Sequence, residues 1–360
     1  MNLVIAYDWL LPFTTTIFKA SGAPPEEARI VADHLVTASL MGYDTHGVIR
    51  IPQYVEDIRK GVIRPGAPIV IEKECEATAV VDCGWNFGQV GGLKAIDIAI
   101  DKARQHRTAT VVARRSNHVG RLGTYTTRAA EQGFLAIGFC NSPRHGHFVT
   151  PWGGRQGRLA TNPISFAVPG NSDFPIVADF STAEASEGAI RLHRNLGRSL
   201  PDGWIMDASG EPSNDPNAFY GPPPGAIFPF GGRRGYRGFA LALLVEILGG
   251  LLGQSPITKH QPGNGLAFVV IDVSAFLPRE EFAAMIHELR DYIKRTPPAP
   301  GFQEVLLPGE PDFRKREERL REGIPVDENT WQQIQTAAAS VGVTAPLPPH
   351  QPAVGKESKR

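Results

Sequence analysis

Helical and strand-like patterns of apolar residues alternate along the first half of the chain. Residues 10–41 carry a helical pattern that restarts at Pro24-Pro25-Glu26-Glu27, because proline and acidic residues are favourable in a first helical turn. A third helix is predicted over 48–60 and ends at Gly61. Beyond the break at 64–68, strand and helix patterns alternate in the order 78–82, 91–106, 108–114, 123–132 and 134–142. This alternation predicts an α/β fold.

The second half of the chain is less regular, since segments 143–163 and 195–235 are rich in glycine, proline and arginine. The pattern predicts strands at 164–169, 175–180 and 266–273, and helices at 238–254, 278–295, 312–321 and 328–341. The helix at 238–254 is almost wholly apolar but too short and too rich in glycine to span a bilayer, so we expect it in a core or an interface. The end of the chain, 346–360, is predicted to be a disordered tail.

Composition excludes some classes of protein. The 360 residues include 37 basic and 37 acidic side chains, so no net charge favours nucleic acid or an acidic membrane surface as a partner. Three cysteines, Cys75, Cys83 and Cys140, form no C-x-x-C pair, which fits a reducing compartment better than a disulfide framework. No signal-peptide pattern and no run of 18 apolar residues occurs. We therefore expect a soluble, cytoplasmic protein.

The common nucleotide-binding and hydrolase motifs do not occur in this sequence. It contains no G-x-G-x-x-G, P-loop, G-x-S-x-G or H-E-x-x-H motif. If a nucleotide binds, the usual glycine turn does not hold it.

Candidate chemistry lies in four short clusters. On a continuous helix His46 and Arg50 would share one face, which would place a proton-transfer group beside a cation suited to an anionic substrate. Asn117 and His118 follow a predicted strand, where α/β folds place functional groups. The third cluster is the turn that begins at Thr161. The fourth is a glycine-rich loop, 229–237, whose three arginines at a helix start would suit a phosphate.

Each cluster also has a purely structural interpretation. A His-Gly pair at a helix boundary often serves capping or packing, and Asn117 with His118 suits a hydrogen-bonded turn. Thr161 suits ordinary turn chemistry, and the glycine-rich loop suits a solvated surface. His145 and His147 could join His118 at a metal, but H-x-H without a third ligand at workable spacing is a weak signal, and we predict no metal site.

In combination and order, these clusters are specific. The segments THGVIRIPQYVEDIRKG, RRSNHVGRLGTYTTRAAEQGFLAIGFCNSP, LATNPISFAVP, VADFSTAEASEGAI, GYRGFALALLVEILGGLLG and LPGEPDFRKREERLREGIPV follow one another as they do in one family. From about residue 10 to 343 the chain resembles the malate/L-lactate/ureidoglycolate dehydrogenases that lack a Rossmann domain. Delta-1-piperideine-2-carboxylate reductase and sulfolactate dehydrogenase belong to the same family.

The resemblance implies a fold and a domain organisation. It implies an α/β protein with a mixed sheet of non-Rossmann topology flanked by helices, and a helical substructure formed from both chain ends. Residues 1–70 and 296–345 would form the helical part, and 71–295 the domain that binds cofactor and substrate, with an inserted subdomain around 115–160. The related enzymes are homodimers in which the partner helps to close the site.

The resemblance also implies roles for individual residues. His46 and His118 would be the acid/base groups, either of which could carry the proton, and Thr45 stands where the family usually has serine. Arg50 would hold the substrate carboxylate, with Thr161 and Asn117 also in the substrate site. The cofactor, NAD or NADP, would contact the following residues: Ser142, Asp179, Phe180, Ser181, Arg237 and His118.

Two positions depart further from the family pattern. Arg237 stands where lysine is usual, and Ala189 stands where some members have an aspartate that orients the histidine, with Glu187 as a neighbouring carboxylate. The implied activity is NAD(P)-dependent hydride transfer to and from C2 of a small 2-hydroxy or 2-oxo acid. A cyclic imino-acid reductase, a metal-dependent lyase or hydrolase, and a non-catalytic relative are the alternatives.

Overall fold

The computed structural model describes residues 2–142, 146–170, 174–259 and 263–344. Its α-helices are α1 (Tyr7–Ala20), α2 (Pro25–Leu40), α3 (Ile51–Arg59), α4 (Gly88–His106), α5 (Gly123–Glu131), α6 (Glu187–Asn195), α7 (Pro216–Tyr220), α8 (Tyr236–Val245), α9 (Arg279–Lys294), α10 (Glu310–Glu322) and α11 (Glu328–Ser340). Its strands are β1 (Asn2–Ile5), β2 (Val70–Glu74), β3 (Thr78–Asp82), β4 (Thr108–Ser116), β5 (Phe134–Asn141), β6 (Ile164–Val168), β7 (Ile176–Phe180), β8 (Ile205–Met206), β9 (Pro212–Ser213), β10 (Ala226–Ile227), β11 (Asn264–Asp272) and β12 (Ile324–Asp327).

A seven-stranded mixed sheet forms the centre of the molecule, in the order β2-β3-β4-β11-β5-β6-β7. Strands β3 and β4 run parallel and are joined through helix α4, whereas the other neighbouring pairs of this sheet are antiparallel. A parallel pair needs such a crossover, because the chain has to return to the same end of the sheet. Strand β11 comes from late in the chain and separates β4 from β5. The predicted mixed sheet flanked by helices is therefore confirmed.

The two faces of this sheet are covered differently. Helices α4 and α5 pack on one face, over a core in which Val111, Phe268 and Val270 have no exposed surface. The other face carries Phe139 and is covered by α8 and by the π-helical turn Glu246–Leu251 that continues it. Burial of one such large apolar side chain contributes about 1.5–3 kcal/mol.

Both chain ends meet in one helical substructure, as predicted. Strand β1 pairs antiparallel with β12, which holds the two ends of the described chain side by side. Helices α1, α2, α3 and α11 surround one apolar cluster, where the rings of Trp9, Phe13 and Trp331 are in mutual contact.

A third and smaller apolar cluster lies around the three-stranded sheet β10-β8-β9. Of the segment 115–160, where an inserted subdomain was expected, only Val149 and Leu159 are among the buried members of this cluster. The other buried members come from later in the chain, between Ala183 and Ala242. Earlier residues of the segment, such as Val119 and Leu122, pack instead under the large sheet.

Most of the long predicted elements agree with the structure to within a few residues, while several short ones were missed. Strands β1, β2 and β12, the small sheet and helix α7 carry too few residues to show a clear periodicity, and the longer helix α6 was missed as well. The predicted tail at 346–360 lies outside the described residues. Within the part of the chain that is described, no helix is both long and apolar enough to cross a bilayer.

Candidate active site

His46 lies in a bend between two helices and not on a continuous helix. Helix α2 ends at Leu40, a 3-10 turn covers Asp44–His46, and a second covers Val48–Arg50 before α3 begins. A Cβ on Gly47 would lie 2.0 Å from Ser39 Oγ, the atom that accepts a hydrogen bond from the Val48 N–H. The prediction that His46 and Arg50 share one helix face is therefore wrong, because the close contact at Gly47 divides the helix.

His118 follows strand β4, in a loop that Asn117 holds in place. The Asn117 side-chain amide donates to the carbonyl oxygens of Val62, Trp85 and Asn86, at 2.7–3.1 Å. Asn117 is 2% exposed. The Asn117 amide nitrogen fixes the loop, whereas its Oδ1 is buried without a hydrogen-bond partner among the described residues, and the expected contact of Asn117 with substrate stays a prediction.

The two histidine rings lie against each other. His46 Nδ1 is 3.2 Å from His118 Nε2, and the rings are nearly parallel with centroids 5.3 Å apart. His118 Nδ1 lies 2.6 Å from the Tyr54 hydroxyl, which in turn accepts from Gln89 Nε2 at 2.7 Å. Both nitrogens of His118 are thus engaged within the protein. For Nε2 of His46, the described residues offer no hydrogen-bond partner.

Both histidines are neutral near pH 7. Burial lowers the pKa of His46 to about 4, and the positive charges of Arg50 and Arg121 act in the same direction. Burial also lowers the pKa of His118 well below its ordinary value, helped by Arg50 and by the neighbouring His46 and His34. The pair can therefore exchange a proton with a bound group without carrying a permanent charge.

Arg50 lies beside this pair with part of its guanidinium uncommitted. Its Nε donates to the Thr45 carbonyl oxygen at 2.7 Å, and Nη1 donates to Gln53 Oε1 at 2.8 Å. Within the described residues Arg50 forms no ion pair, so its charge is available to an anion. Thr45 is exposed next to His46, with its methyl carbon facing Gly188 at the start of α6.

A buried arginine, Arg121, lies near Asp179, one of the residues expected at the cofactor. Arg121 is 2% exposed, and its guanidinium lies 4.7 Å from the ring centre of Tyr43. Its nearest carboxylates are loosely placed, with Asp312 Oδ2 at 3.5 Å and Asp179 Oδ2 at 4.0 Å, and its Nε has no hydrogen-bond partner. A buried cation with so little direct hydrogen bonding can bind a negatively charged group.

Three of the residues expected at the cofactor, Asp179, Phe180 and Ser181, are consecutive at the end of β7 and are called the wall here; Asp179 Oδ2 lies 4.0 Å from Arg121 Nε. Asp179 accepts from the Gly123 N–H at 2.7 Å, and burial raises its pKa although Arg121 opposes the shift. Phe180 is 38% exposed, with its ring centre 6.2 Å from that of Phe230. Ser181 Oγ donates to the Thr161 carbonyl oxygen at 3.0 Å.

The glycine-rich loop 229–237 lies next to this wall. The Phe230 N–H donates to Thr182 O, and the Gly231 N–H donates to Glu184 Oε1 at 2.6 Å. Arg237 is exposed in the first turn of α8 and forms no ion pair with the described residues. Ser142 is partly buried at the end of β5, beside the undescribed residues 143–145.

Two sequence-based hypotheses receive no geometric support. The Glu187 carboxylate accepts from the Tyr220 hydroxyl at 2.9 Å and lies 3.8 Å from Arg191, so it is not placed as a partner of the histidines. Among the described residues no group of three or more His, Cys, Asp or Glu side chains could hold a metal ion. His145, one of the histidines considered for a metal, lies outside the described residues.

A cleft of about 1030 Å³ opens between α2, α5 and α10. It is lined in part by His34, Gln89 and Arg121. His34 Nε2 accepts from the Arg121 N–H at 2.9 Å. The cleft therefore reaches the residues that support the histidine pair, whereas the pair itself is not part of its lining.

Several residues of this site were missed from the sequence. They are Tyr43, Tyr54, Gln89, Arg121 and Asp312. Two signals were present, since Tyr54 lies one helical turn after Arg50, and Arg121 lies three residues after His118. Gln89 and Asp312 carry no such signal, because the fold brings them in from distant elements.

Comparison with known proteins identifies the family of the chain. The sequence profile described as malate/L-lactate dehydrogenase matches residues 5–335. Malate dehydrogenase from Pyrococcus horikoshii is 34% identical over 347 residues, covering 93% of this chain and 95% of the relative. L-sulfolactate dehydrogenase from Methanocaldococcus jannaschii is 35% identical over 335 residues, covering 91% and 94%.

A solved structure extends the comparison to the fold. Delta1-piperideine-2-carboxylate reductase from Pseudomonas syringae pvar. tomato superposes with a TM-score of 0.79 at 29% identity, covering 93% of this chain and 99% of that one. The sequence and the fold agree over nearly the whole length. The chain therefore belongs to the malate/L-lactate dehydrogenase family of oxidoreductases.

Proposed function

We propose that the protein catalyses reversible, nicotinamide-dependent reduction of a small 2-oxo acid to the 2-hydroxy acid. The observation that carries this proposal is the His46–His118 pair, with Nε2 of His46 unengaged by described residues beside the uncommitted charge of Arg50. A proton carrier next to a carboxylate-binding cation is the arrangement that a 2-oxo acid requires, since its reacting oxygen is close to its carboxylate.

His46, and not His118, is the better candidate for the group that exchanges a proton with the substrate. Both ring nitrogens of His118 are already engaged, with Tyr54 and with His46. In the reductive direction Nε2 of His46 gives its proton to the substrate oxygen as negative charge develops there, and Nδ1 of the same ring takes up a proton that comes from solvent, so the ring is neutral before and after the step. In the oxidative direction both transfers run in reverse: Nε2 takes the proton from the hydroxyl group and Nδ1 releases one.

Arg50 would bind the substrate carboxylate and so orient C2. Turning its planar guanidinium away from Gln53 would offer two parallel N–H groups to a carboxylate. Thr45 and Thr161 would contribute further to the substrate site. This fixed orientation decides which face of C2 accepts hydride.

The residues along the wall fit a dinucleotide, NAD or NADP. When bound, a reduced nicotinamide supplies the hydride. The unsatisfied, buried Nε of Arg121 and the exposed charge of Arg237 suit its phosphates, and the exposed faces of Phe180 and Phe230 suit its rings. Ser142, Asp179, Ser181 and His118 would complete this cofactor site.

The substrate class can be tested directly. Purified protein should be incubated with NADH and, separately, with NADPH. The substrates should be the 2-oxo acids that correspond to malate, lactate, ureidoglycolate and sulfolactate. Cyclic 2-imino carboxylates should be assayed in parallel, because the related Pseudomonas reductase is named for a substrate of this kind. Loss of absorbance with a 2-oxo acid supports the proposal. Turnover of cyclic imines alone would favour the imino-acid reductase, and no turnover in either panel would contradict both.

A homodimer is the second part of the proposal. Helix α8 and its π-helical turn expose a run of large apolar side chains, each 39–51% accessible: Leu243, Leu244, Ile247, Leu251 and Leu252. Exposed apolar surface of this kind marks an association site. Because α8 begins at the glycine-rich loop, a partner seated there would also help to close the cofactor site. The cytoplasmic location expected from the sequence stays a prediction.

A further inference from the structure

Tyr54 and Gln89 extend the polar chain of the histidine pair into the core. The Tyr54 hydroxyl lies 2.6 Å from His118 Nδ1, and Gln89 Nε2 donates to it at 2.7 Å. Each of the two side chains is 1% exposed. The Tyr54 ring also packs against Phe18 and Phe87, so apolar contacts fix the position of its hydroxyl.

The direction of these hydrogen bonds determines where the protons lie. The Tyr54 oxygen accepts from Gln89, so its own hydrogen has to point to another acceptor. His118 offers two, Nδ1 at 2.6 Å and its carbonyl oxygen at 3.4 Å, of which the first is much the closer. His118 Nδ1 is then an acceptor, and the neutral ring carries its proton on Nε2.

The tautomer of His118 determines that of His46. His46 Nδ1 lies 3.2 Å from His118 Nε2, so with the proton of His118 on Nε2 the His46 nitrogen is the acceptor. The neutral ring of His46 must therefore carry its proton on Nε2, the nitrogen available to a substrate. Without the Tyr54 hydroxyl both tautomers of the pair would be populated, and in one of them His46 Nε2 has no proton to give.

Because the surrounding charges keep both rings neutral, the position of the single proton on each ring decides which nitrogen can donate. Arg50, Arg121 and His34 all disfavour a positive charge on the two rings. No carboxylate from α6 takes part, since position 189 is alanine and Glu187 bonds to Tyr220. The rings are therefore oriented by a neutral donor, the Tyr54 hydroxyl.

We propose that Tyr54 is a positioning residue which, itself oriented by Gln89, fixes the tautomer of His118 and thereby keeps the transferable proton on Nε2 of His46. Its kinetic consequence rests on the proposed 2-oxo acid reduction. The tautomers themselves do not, because they exist in the protein without substrate or cofactor.

The first test reads the tautomers directly. Nitrogen-15 NMR of the histidine rings in cofactor-free protein near pH 7 separates protonated from acceptor nitrogens, and His46→Gln and His118→Gln variants assign the signals. In the native protein we expect acceptor shifts for Nδ1 and N–H shifts for Nε2 in both rings. In Tyr54→Phe we expect both nitrogens of each ring to move toward averaged shifts.

The second test reads the reaction. Tyr54→Phe should lower kcat for reduction by about 10- to 100-fold, with KM for the 2-oxo acid changed by less than about 2-fold. The matched control is Tyr125→Phe, since Tyr125 is equally buried and its hydroxyl donates to the Val119 carbonyl oxygen of the same loop. The control should keep native histidine shifts, and its kcat should stay within about 2-fold.

Three results would overturn the proposal: a proton on Nδ1 of His118 in the native protein, native shifts in Tyr54→Phe, or equal changes in the control. A native protein with the expected shifts but no activity on any 2-oxo acid or cyclic imine would contradict the proposed function alone. Activity on a 2-oxo acid without the expected shifts would contradict the positioning role alone.

Discussion

The neutral state of His46 in the substrate-free protein follows from its surroundings. Burial removes water from the ring, and Arg50 and Arg121 add positive charge nearby. Removing either influence would raise the pKa of His46 from about 4 toward its ordinary value. A bound carboxylate does so in part, because it neutralises Arg50.

Substrate binding is therefore expected to draw a proton from solvent in mildly acidic solution. The pKa of His46 rises on binding, so between about pH 4 and 6.5 the complex holds more protons than the free protein. Calorimetric titration of an unreactive 2-oxo acid analogue at about pH 5.5, in two buffers of different ionisation enthalpy, measures the difference. Uptake should be a fraction of one proton and be lost in His46→Gln. Proton release would contradict the assigned environment.

The role proposed for Arg50 depends on its positive charge and on the planar shape of its guanidinium, and substitutions test each property. Arg50→Ala should lower kcat/KM for a 2-oxo acid by about 100-fold or more, since a two-bonded charged contact is worth roughly 3 kcal/mol. Arg50→Lys should recover only part of this loss, because an ammonium group cannot present two parallel donors. Steady-state kinetics provides the measurement.

Arg59, the last residue of the helix that follows Arg50, is the matched control for Arg50. It is exposed and pairs with Glu56. Arg59→Ala should leave kcat/KM within about 2-fold, as exposed ion pairs contribute little. Near-native kinetics in Arg50→Ala would remove its role as the carboxylate ligand.

At the scale of residues, the sequence identified candidate site residues but not the contacts between them. His46, Arg50 and His118 could be named because family motifs mark them. The contacts between them could not be predicted, since Gly47 divides the expected helix and Asn117 turns inward to three carbonyl groups. Such contacts depend on the approach of distant backbone, which no local pattern records.

At the scale of elements, the π-helical turn Glu246–Leu251 connects the sheet to the turn that contains Thr161. Glu246 is 6% exposed and accepts hydrogen bonds from Asn141 Nδ2, Asn162 Nδ2 and the Ile257 N–H, at 2.9–3.2 Å. One carboxylate thus joins the end of β5, the loop before β6 and the segment after the turn. Through Asn162 it holds the turn that contains Thr161, which is proposed to contact substrate.

Glu246→Ala should lower the free energy of unfolding by about 2–4 kcal/mol, because three buried donors lose an acceptor. Glu246→Gln should cost less, since one carbonyl oxygen remains and the unpartnered Oδ1 of Asn162 can accept from the new amide. Equilibrium unfolding in urea measures both variants. Equal stability of Glu246→Ala and the native protein would show that this carboxylate does not join the elements.

Elements with clear periodicity were predicted well, and those whose identity depends on distant partners were not. Helices α4, α9 and α11 and strands β3, β4 and β11 lay within a few residues of prediction. The helix predicted over 238–254 instead ends as α-helix at Val245 and continues as a π-helical turn. There Gly249 and Gly250 approach the end of β5 closely, and a Cβ on Gly250 would lie 2.3 Å from Asn141 Nδ2.

At the scale of the whole molecule, the exposed apolar face of α8 and its turn is expected to join two copies of the chain. The double variant Leu244→Glu/Leu251→Glu places charge in the middle of this face, and both side chains are 43–51% exposed in the single chain. We expect a dimer of the native protein and a folded monomer of the variant by analytical ultracentrifugation.

A matched control places charge on another exposed apolar residue, Tyr292→Glu on α9, which is 77% exposed. This control should remain dimeric. If the native protein is a monomer, or the double variant dimerises as strongly, the interface lies elsewhere.

The topology of the sheet could be predicted only from the family resemblance, because no local signal places β11 between β4 and β5.

The central claim is that hydride reaches C2 of a 2-oxo acid while His46 provides the proton. The most direct measurement supplies nicotinamide cofactor deuterated at the transferring position and locates the label in the product by mass spectrometry and NMR. We expect one deuterium at C2 of a single 2-hydroxy acid enantiomer, with turnover reduced at least about 100-fold in His46→Gln. Product without deuterium at C2, or native turnover in His46→Gln, would contradict it.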